Sequence, residues 1–233
     1  MPYRRLPNTD LARLRALKAA FEKGKGNYPY NIAYPQNLYH KIQGILLLFE
    51  QTLSQYNFSK ERQFSCSKLL AEHFKAARLY VSHFIQVLNF CIIRNEMKPA
   101  VRKHFGLSVN DKTVPDLGTE QQLLIWGKRI LEGEQIRTME GGSRIYNPSI
   151  AMVGIRYEKF VEHYNNHKDL LITTQKMQEK VLQMRTNVDT LIVNLWNGIE
   201  EHFNHLDATE KRKACAEYGV VYVTRSDEKA EIE

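Results

Sequence analysis

The sequence predicts a mainly all-α protein: an elongated up-and-down bundle of long antiparallel helices, with a small β-hairpin or three-stranded sheet at one end. Three observations carry that reading. Residues 79–93, between Arg78 and Arg94, contain no charged side chain and place apolar groups on nearly every side of a helix, so that helix has to be covered by others. Two adjacent seams run along it, Leu70, Phe74, Ala77, Val81, Phe84, Leu88 and Cys91 beside His73, Ala76, Tyr80, His83, Val87 and Phe90. Together they make a buried arc wider than a two-stranded coiled coil needs. Finally, no proline follows Pro148, and apolar residues recur at helical spacing from Val153 to Leu195.

Taken in order, the first helix is expected over 10–23. Asn8 or Thr9 can cap it, Asp10 suits its first turn, Leu11, Leu14, Leu17 and Phe21 form its apolar face, and Gly24 and Gly26 stop it. Pro29 and Pro35 push Tyr28 and Tyr34 toward extended backbone, which makes 27–35 a strap packed on the bundle. A second helix, 36–56, is expected to break at Asn57, Phe58 and Ser59 and turn back as a hairpin into the central helix, which stops before Pro99. One further turn at 101–104 precedes Gly106. Thr119 with Gln122 has the capping-box pattern and opens a short helix to Leu131. Across 134–147, alternating runs on either side of Gly141 and Gly142 signal a β-hairpin, because glycine supplies the positive φ its turn needs. The last long helix is expected to reach Leu206 with a kink or phase change at 165–169. Asp207 then caps a short helix stopped by Gly219, and 220–224 reads as a strand that completes a small sheet with the hairpin. The expected organisation is one domain over 1–226 followed by a charged, disordered tail at 227–233.

Composition narrows the function classes. With 233 residues, 43% of them hydrophobic, the chain can bury a sizeable core. No apolar run follows the first charged residues as it would in a secretory leader. Residues 79–93 also fall short of the roughly 20 mainly apolar residues of a membrane span, so no membrane partner is expected. Cys66, Cys91 and Cys215 form an odd set without paired spacing, which argues against a disulfide framework or a zinc site and for reduced thiols in the cytoplasm. The net charge of +7 is uneven: residues 1–110 carry 17 Lys and Arg against 6 Asp and Glu, and residues 111–233 carry 16 against 20. Such halves can neutralise each other in the fold, pair between subunits, or present a basic surface to a polyanion.

Arg129, Arg137, Arg144 and Arg156 surround the expected hairpin, and Gly141 and Gly142 would let a phosphate or carboxylate approach the backbone. That makes the region a candidate site for a small anionic ligand, although Glu132, Glu134 and Glu140 can pair with the same arginines. His163 and His167 are four apart, the spacing by which one helix face offers two imidazoles to a metal. The glutamate that follows the first histidine of zinc peptidases is missing, and a reading as ordinary surface side chains outweighs the metal. Arg13, Arg15 and Lys18, followed by Tyr28, Tyr30 and Tyr34, combine charge with stacking groups as a nucleic-acid surface does, but no DNA- or RNA-binding motif accompanies them. No nucleophile elbow, paired catalytic carboxylates or dinucleotide loop occurs, so no catalytic residue and no cofactor is assigned. The leading expectation is a noncatalytic interaction or scaffold protein that self-associates or binds a protein partner. The alternatives are a basic helical protein that binds nucleic acid, and an enzyme or anionic-ligand binder built on the arginine-rich stretch 129–156.

Tyr3-Arg4-Arg5-Leu6-Pro7-Asn8-Thr9-Asp10, the stretch Tyr80-Val81-Ser82-His83-Phe84, and Trp126-Gly127 followed by Gly133-Glu134 and Gly141-Gly142 resemble a family of bacterial all-helical proteins of uncharacterised function. The resemblance extends over most of the chain. It implies a bacterial, intracellular, helical domain and carries no activity, cofactor or site residue with it.

Overall fold

In the computed structural model, which describes residues 2–28 and 30–224, the chain is mainly α. The elements are β1 (Tyr3–Arg4), α1 (Asp10–Asn27), α2 (Gln36–Ile93), a 3₁₀ helix (Pro99–Phe105), α3 (Glu120–Met139), α4 (Ile150–His202), α5 (Ala208–Glu217) and β2 (Tyr222–Val223). The tail expected at 227–233 lies outside the described residues. Where one domain was expected over 1–226, the chain divides into two compact units, Met1–Lys60 with Thr173–Glu233 and Glu61–Ile172. Each unit has its own buried apolar cluster.

In the first unit, α1 starts where Thr9 caps it, its hydroxyl accepting from the Ala12 N–H at 3.2 Å, which satisfies one of the orphan donors of a first turn. Gly24 and Gly26 do not stop this helix; it continues to Asn27. Gly24 is instead the point where the Tyr34 hydroxyl comes down on the helix, so close that a Cβ there would collide with it. That hydroxyl donates to the Ala20 carbonyl at 2.8 Å, so Tyr34 is packed as a strap residue should be. Around it Leu17, Ile42, Phe49, Val188, Leu195 and Trp196 form the core. Asp207 caps α5 by accepting from the Thr209 and Glu210 N–H groups at 2.9 and 2.6 Å.

The β element is not the one expected. β2 pairs antiparallel with β1, Tyr3 opposite Val223 and Arg4 opposite Tyr222, and the Arg5 N–H donates to the Val221 carbonyl at 2.9 Å. No hairpin forms at 134–147, so among the described residues there is no third strand to join. The alternation in Gln135 to Met139 is overridden by a helical seam in which Ile130, Glu134 and Arg137 are all buried, and α3 runs to Met139 rather than Leu131. Beyond it, 140–149 contains only an isolated bridge between Tyr146 and Ser149.

Two expected breaks are also missing. α2 passes through Asn57, Phe58 and Ser59 without interruption; the Ser59 hydroxyl donates back to the Tyr56 carbonyl at 2.8 Å, a bond a helix accommodates in its own backbone. α4 passes through 165–169 without interruption, because Asn165, Asn166, Lys168 and Asp169 are exposed and weak helix formers facing water cost only a few tenths of a kcal/mol each. Among the described residues one helix, α2, is long and apolar enough to cross a membrane by length and composition. Only 44% of its most apolar window is buried inside the fold, so much of that apolar length lacks cover.

In the second unit the seam through Leu70, Ala77, Val81, Phe84, Leu88 and Cys91 is buried as the spacing predicts. It packs on α4 through Phe74 against Phe160 and on the 3₁₀ helix through Phe84 against Phe105. The capping box at Thr119 forms, the Thr119 hydroxyl accepting from Gln122 N and the Gln122 Oε1 accepting from Thr119 N. α3 is fastened to α4 where the Tyr157 hydroxyl donates to the Leu124 carbonyl at 2.7 Å and the Gln121 amide donates to the Tyr164 hydroxyl at 2.8 Å. Gly133 lets α3 approach the 3₁₀ helix: a Cβ there would lie 2.5 Å from the His104 carbonyl oxygen.

Candidate functional site

The second seam of α2 has a different fate from the first. His73, Ala76, Tyr80 and Val87 are only partly covered, and His83 and Phe90 are exposed. On the same side Leu79 is 50% and Phe90 56% exposed, while Val81, Phe84 and Leu88 on the other side are fully buried. The 3-4-3 spacing of Tyr80, His83, Val87 and Phe90 keeps these groups in one row. Asn147 and Pro148 supply the facing wall, and the open groove between has a volume of about 510 Å³, with Leu79 and Gln86 completing its lining. No charged side chain lines it. The lining is mainly aromatic and aliphatic, with the Tyr80 hydroxyl, the His83 imidazole and the Gln86 and Asn147 amides as its polar side-chain groups.

The arginines read as an anion site do not converge. Arg137 is buried in a two-point ion pair with Glu134, its Nε donating to Oε2 at 2.7 Å and its Nη2 to Oε1 at 2.6 Å, and the same Nη2 donates to the Ser143 carbonyl at 2.6 Å. Its positive charge is therefore matched inside the protein. Gly142 is required by that packing, since a Cβ there would lie 2.6 Å from Arg137 Nη1. Gly141, at φ 89°, ends the helix, its N–H donating to the Thr138 carbonyl at 3.1 Å. Arg129 lies over the Trp126 ring at 4.9 Å and Arg156 over the Tyr80 ring at 5.4 Å. Arg144 is exposed and lines an open cavity of about 430 Å³ with Glu134 and Tyr146. Glycines and arginines expected to hold a ligand are thus occupied mostly with holding the end of α3 and the surface of α2.

No cluster of three His, Cys, Asp or Glu suited to a metal occurs among the described residues, at His163 and His167 or elsewhere. The ring of His163 stacks instead on His73, centroids 4.3 Å apart and planes 9° from parallel, and its Nδ1 is buried without a hydrogen-bond partner. Burial first, then His163 and Lys159, push the His73 imidazole below its ordinary value, against an opposing pull from Glu72. Spacing along α4 could not reveal this pair, because its members come from two helices 90 residues apart in the chain.

The basic N-terminal residues meet carboxylates within the first unit. Arg13 donates to both oxygens of Asp189, at 2.7 and 3.0 Å, and to Asp10 at 3.3 Å. Lys18 pairs with Glu50, Lys23 with Glu217 and Arg4 with Glu200. Tyr28 stacks on Tyr39, centroids 4.9 Å apart, and Tyr34 is buried, which leaves Tyr30 as the fully exposed ring of the three. Arg15 remains exposed and lines, with Arg5, the mouth of an apolar cavity of about 450 Å³ floored by Trp196, whose indole Nε1–H is buried without a partner. Comparison of the chain with protein-family models, curated proteins and solved structures finds no match.

Proposed function

We propose that the protein is a noncatalytic interaction or scaffold protein that works by burying the second seam of α2 against a second copy of itself or against another protein. The observation that carries this reading is the row of Tyr80, His83, Val87 and Phe90, partly covered or exposed, in a stretch without a single charge. An amphipathic helix normally turns charge toward water; here the water-facing side of 79–93 is apolar or neutral, the composition of an interface core, where charged residues are depleted and aromatics enriched. The anion-binding and nucleic-acid readings receive less support, since Arg137, Arg13 and Lys18 already have carboxylate partners. The helices are read as an up-and-down bundle in which this seam is the side left for assembly.

The test is the solution mass by light scattering across a hundredfold range of concentration, for the wild type and for Leu79→Glu/Phe90→Glu. Both side chains are exposed, so the double variant is expected to keep its helical circular dichroism. A dimer or small closed oligomer that the double variant converts to a monomer supports the reading through self-association. A wild-type monomer supports the partner form only if a protein recovered on it is lost with the same double variant; a monomer with no such partner overturns the proposal.

A further inference from the structure

Two arginines are buried in the second unit, and their surroundings differ. Arg137 has Glu134; Arg102, in the 3₁₀ helix and only 2% exposed, has no ion-pair partner among the described residues. Its Nε donates to the Ser108 carbonyl at 2.6 Å and its Nη1 to Asn89 Oδ1. Neutral acceptors satisfy N–H groups but leave the charge in place, and a buried charge without a counter-charge is unfavourable enough that proteins ordinarily pair it. Asp111, whose charge acts on it, is turned to Thr113 and accepts from its N–H at 2.8 Å and its hydroxyl at 2.9 Å.

Arg102 faces an open cavity of about 440 Å³ whose lining also holds Asn89, Asn95, Asn110 and Lys112 and contains no carboxylate. Asn95 takes up φ 62° in the turn that follows α2, and Asn89 donates to the Lys112 carbonyl at 2.8 Å, which fastens the loop bearing Lys112 beside the arginine. Two cations and three amides therefore surround one space. Burial pushes the guanidinium below its usual value, the behaviour of a cation short of an opposite charge.

We propose that this cavity binds a small oxyanion of the phosphate class, either free phosphate or the phosphate group of a small metabolite. Arg102 supplies the buried charge, and the guanidinium N–H groups not taken by Ser108 and Asn89 are left to donate to phosphate oxygens. Lys112 closes the site from the exposed side, and the Asn95 and Asn110 amides donate to the remaining oxygens. The competing account is that Arg102 only staples 106–112 to α2 and that the cavity holds solvent.

Isothermal titration of the full-length chain with sodium phosphate, at constant ionic strength set with sodium chloride, separates the two. Saturable binding is expected in the wild type, with affinity about tenfold or more lower in Lys112→Glu, the loss of one charge-assisted contact and the gain of a repulsive one. Lys112 is exposed and its side chain is not part of a core, so this variant keeps the melting temperature of the wild type without ligand. Arg102→Met is expected to abolish binding; should it unfold, Lys112→Glu and Asn110→Asp carry the test alone. No saturable heat up to about 10 mM phosphate, or undiminished binding by Lys112→Glu, overturns the proposal, as does acetate competing as well as phosphate, which would make the ligand a carboxylate.

Discussion

At the scale of single residues, buried charge and buried imidazole make the sharpest tests. Removing Glu134 leaves the Arg137 guanidinium inside the protein without its partner, and breaking a buried pair from one side costs about 3–5 kcal/mol. Urea unfolding of Glu134→Gln is expected to show a loss of that size, and Glu134→Leu/Arg137→Met to recover most of it. His73 sets a pH dependence. Its pKa in the fold lies below the value of about 6.5 for an unfolded histidine, so the unfolded chain binds more protons between the two values and stability rises with pH through that interval. The contribution is fully present above about pH 6.5 and is lost as pH falls toward the folded value. His163, Lys159 and Arg156 all disfavour a proton on His73, and Glu72 favours one. Melting temperatures between pH 7.5 and 5 should fall less steeply in His73→Phe than in the wild type; equal slopes would remove His73 from the account.

Elements show where local pattern suffices and where it does not. The start of α1 at Asn8 or Thr9, of which Thr9 is the cap, the capping box at Thr119 and the cap at Asp207 were legible because each depends on residues within three positions of one another. The buried seam of α2 was legible for the same reason. The β-hairpin was misread because Gly141 and Gly142 mark the end of a helix and a contact with Arg137, whose partner Glu134 is one turn back. A two-residue strand at Tyr3–Arg4 carries no period at all, and only its pairing with Tyr222–Val223 reveals it. Of the candidate groove, the spacing set Tyr80, His83, Val87 and Phe90 in one row but read that row as buried, whereas Tyr80 and Val87 are only partly covered and His83 and Phe90 are exposed; the wall at Asn147 and Pro148 was not legible either, since nothing local joins it to α2. Gly133→Ala should destabilise the protein by about 1–3 kcal/mol by driving a Cβ into the His104 carbonyl, measurable by chemical denaturation. Deleting 218–233 removes the buried Tyr218 and Val220, the β2 pairing and the bond from the Tyr222 hydroxyl to Glu200 at 2.6 Å. A loss of at least about 3 kcal/mol is expected, and unchanged thermal stability would show that the paired ends do not support the first unit.

For the whole molecule, the uneven charge visible in the sequence is met in part by ion pairs between early and late segments, Arg13 with Asp189, Lys23 with Glu217 and Arg4 with Glu200. Generic DNA or RNA is accordingly expected not to bind at physiological salt. Submicromolar affinity that falls steeply with salt and is lost on reversing the charge of Arg13, Arg15 and Lys18 would contradict this. The same segment order has a consequence during synthesis. The second unit is one continuous stretch, Glu61–Ile172, whereas the first is divided between Met1–Lys60 and Thr173–Glu233. A ribosome moving at about 5–20 residues per second takes roughly 3–10 s to add the stretch from 173 to 224 once 172 has been made. Through that interval Leu17, Ile42 and Phe49 await the α4 residues they pack on, and Arg13 awaits Asp189. Nascent chains stalled at residue 172 should therefore recruit a holding chaperone through 1–60 and lose it when elongation resumes.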